Sequence, residues 1–221
     1  MQSRPTLESK PESEHKSESR IDREGWNSRY RAGQHTRPEP DPLLFHLYEE
    51  FIGPMFPRGG RGLDLAGGAG RHAIWMAKQG WRMALADLSD EATDIAARHA
   101  AESGVPLEIL NEPAAETLAH AASTENQYDL IMVVQYLDRS LFPGLRKALR
   151  PGGLAFYKAH TLDHLALSES SPRDPDFMLD RQELLGQFAG LRVLHFNETV
   201  ARRGTQSILV QMPPGSDPEG A

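Results

Sequence analysis

The chain has no cysteine among its 221 residues. That excludes disulfide bridges, thiolate metal sites and a thiol nucleophile. Long apolar runs are missing too. No stretch approaches the roughly 18 consecutive apolar residues of a membrane-spanning helix, so no membrane partner is expected. The N-terminus lacks the apolar core of a secretory signal, and a cytoplasmic location is the default expectation. Nor is there a surplus of base: 24 Lys and Arg against 31 Asp and Glu give a net charge of −7. That balance disfavours a nucleic-acid partner but leaves nucleotide-sized ligands open. Hydrophobic residues are only 39% of the chain, and the shortage is concentrated at its ends. Residues 1–24 hold only Met1, Leu7 and Ile21 as large apolar side chains. Such a segment buries too little surface to offset its ordering entropy. Residues 1–24 and the Pro/Gly/Asp-rich residues 213–221 are therefore expected to be disordered tails around one domain, 25–212. Repeats, coiled-coil heptads, a P-loop and a G-x-S-x-G elbow are absent as well.

What is present concentrates between residues 61 and 87, RGLDLAGGAGRHAIWMAKQGWRMALAD. Arg61 to Ala66 reads as a core strand of a parallel sheet, apolar from Gly62 on apart from Asp64. Gly67, Gly68, Ala69 and Gly70 form a turn tight enough for a ligand to reach backbone N–H groups. Ala73, Ile74 and Ala77 continue at helical spacing until Gly80, and Trp81 to Ala86 is a second strand ending in Asp87. A carboxylate about 20 residues past a glycine-rich strand–turn–helix is what nucleoside ribose hydroxyls need. Gly68 to Ala73 fits G-x-G-x-x-G/A, which by itself leaves a nicotinamide or flavin dinucleotide open. Asp64 weighs against a dinucleotide. A carboxylate two residues before the turn repels a pyrophosphate and suits a cofactor bearing an ammonium group.

With Asp64-Leu65-Ala66-Gly67-Gly68-Ala69-Gly70, the chain resembles the class I S-adenosylmethionine-dependent methyltransferases, whose first motif is acidic-x-G-x-G-x-G. Ala66 stands where that motif has its first glycine. Arg150-Pro151-Gly152-Gly153 before the strand 154–159 is a second landmark of the family. The resemblance implies an α/β, Rossmann-like three-layer sandwich with a mixed seven-stranded sheet whose last strand is antiparallel. The residues agree on the last point: only Glu198 to Gln206 separates strands 191–196 and 207–212, too short for a crossover helix. S-adenosyl-L-methionine is the implied cofactor. Asp64 would hold its ammonium group, the Ala66, Gly67, Gly68 and Gly70 backbone its amino-acid end, and Asp87 with Leu88 its ribose. Asn111 or Glu112, after the third strand, would accept from the adenine amino group, with Val134 and Gln135 beside the methionyl part.

Trp26-Asn27-Ser28-Arg29-Tyr30 breaks sharply with the polar tail, and Asp41-Pro42 opens a helix with Leu43, Leu44, Leu47 and Phe51 on its apolar face. The W-x-x-R-Y pattern is similar to the start of tellurite-resistance and thiopurine methyltransferases. That resemblance makes Trp26, Arg29 and Tyr30 candidate lid residues over the cofactor. The strand 128–134 ends in Gln135-Tyr136, at the sheet edge where open α/β folds bind ligands. Tyr136, Arg139 and His160 are the acceptor-side candidates, Arg139 as a steering group for an anion. His160 and His164 have the i,i+4 spacing of a metal pair but lack further ligands, so no metal is expected. The expected activity is methyl transfer to a small-molecule acceptor, a chalcogen oxyanion or thiol-like compound being the family-based suggestion. A cofactor-holding module that does not turn over and an NAD(P)-dependent oxidoreductase are the alternatives.

Overall fold

The computed structural model describes residues 15–123, 127–167, 174–201 and 203–215, with side chains from residue 23 onward. Seven strands form one sheet in the order β3-β2-β1-β4-β5-β7-β6. They are β1 (Arg61–Leu65), β2 (Arg82–Ala86), β3 (Glu108–Leu110), β4 (Tyr128–Val134), β5 (Leu149–His160), β6 (Arg192–Thr199) and β7 (Thr205–Gln211). The five from β1 to β5 pair in parallel, and β7 runs antiparallel to both β5 and β6. The short 198–206 connection allows nothing else. It closes the expected hairpin and gives the expected mixed sheet.

In chain order the helices are α1 (His15–Arg31), α2 (Pro42–Leu47), α3 (Gly53–Met55), α4 (Arg71–Lys78), α5 (Asp90–Glu102), α6 (Ala114–Ser123), α7 (Phe142–Ala148), α8 (His164–Leu167) and α9 (Glu183–Gln187). A π-turn, Tyr48–Ile52, joins α2 to α3. Local chemistry sets the helix starts. The Asp41 carboxylate accepts from Leu43 N at 3.0 Å with Pro42 behind it, and Ser89 Oγ accepts from Ala92 N at 3.1 Å. Helix α1 begins at His15, inside the stretch read as a disordered tail. Polar composition did not foresee that its last turns find partners on α5: Arg23 with Asp90, Asn27 with Ser89, and Arg31 with Glu91.

Two apolar layers enclose the sheet. On one face α2, α4 and α5 pack through Leu44, Leu47, Met76 and Ala96 onto Leu130, Met132 and Phe156. On the other, α6, α7 and α9 pack through Leu118, Leu145, Leu184 and Phe188 onto Leu63, Ile131 and Tyr157. Strand β4 is buried on both faces, hence its almost unbroken apolar sequence YDLIMVV. The Arg150–Gly153 landmark lies inside β5 rather than before it. Tyr128 pairs with Leu149 and Leu130 with Leu154, so the Pro-Gly segment bulges out of the ladder, with Gly152 at φ 77°.

Candidate functional site

The glycine turn leaves β1 with Ala66 at φ 53°, Gly68 at 57° and Gly70 at 81°, all left-handed. Gly67 has Asp64 beneath it: a Cβ there would lie 2.8 Å from the Asp64 Cγ. A Cβ on Gly68 would collide with the Tyr30 hydroxyl, and one on Gly70 would meet Ala96 Cβ at 3.0 Å. The turn is therefore squeezed between a buried carboxylate, the lid and α5.

Asp64 is 1% exposed. Its Oδ2 accepts from Ala73 N at 3.1 Å, while its Oδ1 has no hydrogen-bond partner within the protein. Burial pushes its pKa up to about 7; the Ala73 N–H and the Arg71 guanidinium oppose this, and Asp87 adds to it. Asp87, at the end of β2, accepts from Gly68 N at 2.8 Å and Ser89 N at 2.9 Å. Each oxygen still has lone-pair capacity for a hydroxyl donor. Leu88, half-buried, follows it. Asn111 lies beside Asp87, its Nδ2 donating to Thr93 Oγ1 at 3.2 Å and to the Asp87 carbonyl at 3.4 Å. Glu112 turns instead toward α6, 3.4 Å from His120 Nδ1. Of the two adenine-side candidates, Asn111 is the one adjoining the carboxylate.

The lid candidates come together over this turn. Trp26, Tyr30 and His35 form an aromatic cluster with centroids 5.5–6.3 Å apart, and Arg29 stacks on Trp26 at 4.6 Å. Tyr30, 8% exposed, packs with Ala69 and Ala92. Burial, then Asp87, drives the Tyr30 phenol above its usual range.

At the carboxyl ends of β4 and β5, Val134 is buried and Gln135 is exposed at φ 62°. Gln135 Oε1 accepts from Arg71 Nη2 at 3.4 Å, across the mouth between the glycine turn and β4. Tyr136 is half-buried against the α6–α7 layer. Arg139 departs from its expected steering role. It makes a two-pronged pair with Glu183, both contacts 2.8 Å, and donates to the carbonyls of Asp176 and Met178. Its guanidinium fastens the 176–183 segment, because a fork-shaped donor is best satisfied by a carboxylate plus carbonyls. His160 is 6% exposed, with Nδ1 3.4 Å from the Gly204 carbonyl and its ring 4.2 Å from that of His164. Burial, then His164, lowers its pKa to about 4. No metal-binding cluster occurs among the described residues.

Four further residues belong to this edge that the sequence reading gave no site role: Arg71, His72, Asp41 and Lys158. Lys158 Nζ donates to both Asp41 oxygens, at 2.7 and 2.9 Å. A lysine interrupting the apolar run of β5 was the available signal. His72 is 3% exposed beside Asp64, and a histidine on the buried face of a helix carries no sequence signature of its own.

Residues 63–153 match the family model described as a methyltransferase domain. This stretch is similar to a methyltransferase domain. The match runs from within β1 to the first residues of β5 and takes in the glycine turn, Asp87 and the Pro-Gly bulge. The chain is 34% identical over 130 residues to a tRNA 5-carboxymethoxyuridine methyltransferase of Escherichia coli K12, covering 54% of this chain and 49% of that protein. It is 30% identical over 122 residues to a ubiquinone biosynthesis O-methyltransferase of Salmonella enteritidis PT4, covering 53% and 48%. The chain thus spans about half the length of the curated relatives it matches. Among solved structures it is similar to magnesium protoporphyrin IX methyltransferase from Synechocystis PCC 6803 with bound SAH. The TM-score there is 0.66 at 12% identity, over 88% of this chain and 99% of that one. TehB from Haemophilus influenzae gives a TM-score of 0.57 at 15% identity, over 76% and 66%. Both are likenesses of fold.

The residues present fit S-adenosylmethionine as a cofactor. A buried carboxylate oxygen without a protein partner lies under a turn whose glycines admit no side chain, and a second carboxylate stands at the end of β2.

Proposed function

We propose that the protein transfers the methyl group of S-adenosylmethionine to a small-molecule acceptor at the carboxyl ends of β4 and β5. The observation that carries this reading is the charge at the glycine turn. Asp64 lies directly under Gly67 and Asp87 faces Gly68, so two carboxylates stand where a dinucleotide would bring its pyrophosphate. The reversed β7 argues in the same direction. When bound, the cofactor supplies a methyl group activated by its sulfonium. Asp64 favours the ammonium end, Asp87 accepts from the ribose hydroxyls, and Asn111 borders the base. Arg71, reaching across to Gln135, offers a guanidinium for the carboxylate end.

Methyl transfer is an in-line displacement, and most of its acceleration comes from holding nucleophile and methyl in line with water excluded. Trp26, Tyr30 and His35 serve the exclusion; Tyr136 borders the acceptor. The aromatic lid and the net charge of −7 favour a small acceptor over a polyanion. Within that class a chalcogen oxyanion or thiol-like compound is the first choice, on the W-x-x-R-Y resemblance.

Calorimetry against SAH and NAD(H) tests the cofactor; binding of SAH in the micromolar range with none of NAD(H) is expected, and the reverse overturns the reading. An acceptor screen that follows SAH release, over tellurite, selenite, small thiols and phenols, tests the acceptor. Turnover only on tRNA would defeat the small-molecule part.

A further inference from the structure

Helix α1 reaches beyond the glycine turn to the loop that follows β3. Arg23 lies on it, well before the residues that match the family model and inside the stretch read from sequence as a tail. Its Nη1 carries two protons and donates to Asp90 Oδ1 at 2.8 Å and to Asn111 Oδ1 at 3.1 Å. The Arg23 side chain is 34% exposed. One turn further along α1, Asn27 is 5% exposed; it accepts from Ser89 Oγ at 2.6 Å and donates to Asp90 Oδ2 at 3.3 Å. Asn27 thus pins α1 to the start of α5, and Arg23, on the same face of α1, is held beside Asn111.

Asn111 is bonded at both ends of its amide, and the chemistry of its partners fixes which way that amide faces. The Thr93 hydroxyl gives its one proton to a carbonyl, that of Asp90 at 2.9 Å or Ser89 at 3.2 Å, and so accepts from elsewhere. The Asp87 carbonyl can only accept. Both are met by Asn111 Nδ2, at 3.2 and 3.4 Å. Arg23 can only donate, and it meets Oδ1. Turning the amide over would set its NH2 group against a guanidinium and its oxygen against the Asp87 carbonyl. The Arg23 bond is the shortest of the three and the charge-assisted one, so it contributes most to the orientation. Both Nδ2 protons are then spent, and what Asn111 has left to offer a ligand is the second lone pair of Oδ1.

We propose that Arg23 is a positioning residue for base selection. By holding the Asn111 amide with its oxygen free, it makes the nucleoside site prefer a base that presents a donor, the exocyclic amino group of adenine, over one that presents a carbonyl in its place, as hypoxanthine does. This rests on the cofactor reading above, in which Asn111 borders the base. Without Arg23 the amide can turn and offer Nδ2 to a carbonyl, so selectivity falls further than affinity. Arg23 and Asn111 are partly solvated, which sets the size of the effect at about three- to tenfold, the worth of one net hydrogen bond.

The test measures, by calorimetry on the full chain, affinity for SAH and for its deaminated analogue S-inosylhomocysteine. The wild type is expected to prefer SAH by about tenfold or more. Arg23→Ala should lower that preference below about threefold, and Arg23→Lys, which keeps a charged donor, should restore at least part of it. Arg23→Met keeps the apolar stem and loses the donors, and carries the test if the alanine protein does not fold. A variant that had merely lost a surface pair would bind both ligands more weakly and alike; an unchanged preference in Arg23→Ala or Arg23→Met overturns the proposal. Asn111→Ala should abolish the preference by itself, and adding Arg23→Ala to it should change the ratio no further. A further change of more than about threefold means that Arg23 acts elsewhere, and overturns the proposal as well. A wild type that binds both ligands equally removes Asn111 from the base and the proposal with it, while the cofactor reading stands. A wild type that binds neither overturns the cofactor reading itself.

Discussion

Replacing Asp64 by Asn should make the free protein more stable at alkaline pH while weakening its hold on the cofactor. The carboxylate is 1% exposed, and burial raises its pKa to about 7. Its value in the unfolded chain is about 3.9. The folded state therefore holds this proton more tightly, and the sign follows. Stability is greatest below the unfolded pKa and declines as pH rises toward the folded one, by up to about 1.4 kcal/mol per pH unit. Between pH 4 and 7 the full decline would be about 4 kcal/mol, an upper figure, since relaxation and a bound cation both reduce it. Asn preserves the shape and can still accept from Ala73 N, but it does not titrate. Urea unfolding of both proteins at pH 5, 6, 7 and 8 isolates the effect, because the other titrating groups, Asp87 included, are common to both. The difference, wild type minus Asp64→Asn, should fall by about 2–3 kcal/mol across that range in the absence of ligand. With saturating SAH the fall should shrink, and SAH should bind the variant about ten- to a hundredfold more weakly. A difference that is flat or rises with pH would refute the buried-carboxylate argument.

Other consequences are equally open to measurement. Asp87→Ala removes the acceptor at the end of β2 and should cost about 1–3 kcal/mol of SAH affinity by calorimetry. Ala66 holds a left-handed φ of 53°, so Ala66→Gly should be neutral or stabilising by up to about 1 kcal/mol in thermal unfolding. Ala66→Val should destabilise by more than Ala66→Gly gains, since a β-branched residue fits that region worst. Lys158→Met strands the Asp41 carboxylate in a largely buried position and should cost about 3 kcal/mol or more, with Asp41→Asn recovering much of it. The pair also has a pH signature: although burial opposes it, Lys158 holds the Asp41 pKa below the ordinary value. Its contribution is present above about pH 4 and is lost as pH falls through the lowered pKa. Arg139→Ala should loosen the 176–183 segment in hydrogen exchange with little change in SAH affinity, because its donors go to Glu183 and two carbonyls. A large loss of turnover on an anionic acceptor with SAH affinity kept would return Arg139 to the site.

Much of the fold is legible along the chain because its signals are local. The apolar run of β4, the glycines after β1, Ser89 and Asp41 as caps, and the short 198–206 link each act within a few residues. The helix beginning at His15 was not legible: its polar face looks like a solvated tail until Asn27 meets Ser89 and Arg31 meets Glu91 on a distant helix. The site divides the same way. Asp64, Gly67, Gly68 and Asp87 stand out by spacing, whereas the contacts of Arg139 were not legible because its partner, Glu183, lies 44 residues on.

The sequence by itself determined a parallel α/β sheet with one reversed strand, a tight glycine turn after its first strand and the two carboxylates at that turn. These follow from backbone freedom, side-chain period and like-charge repulsion, which act over short stretches of chain. Only the tertiary structure decided which polar groups would be buried together, because the Asp41–Lys158 pair joins residues 117 positions apart. Burial, not spacing, is what lifts Asp64 to about 7 and leaves His72 neutral beside it, and burial exists only once the helices have closed over the sheet.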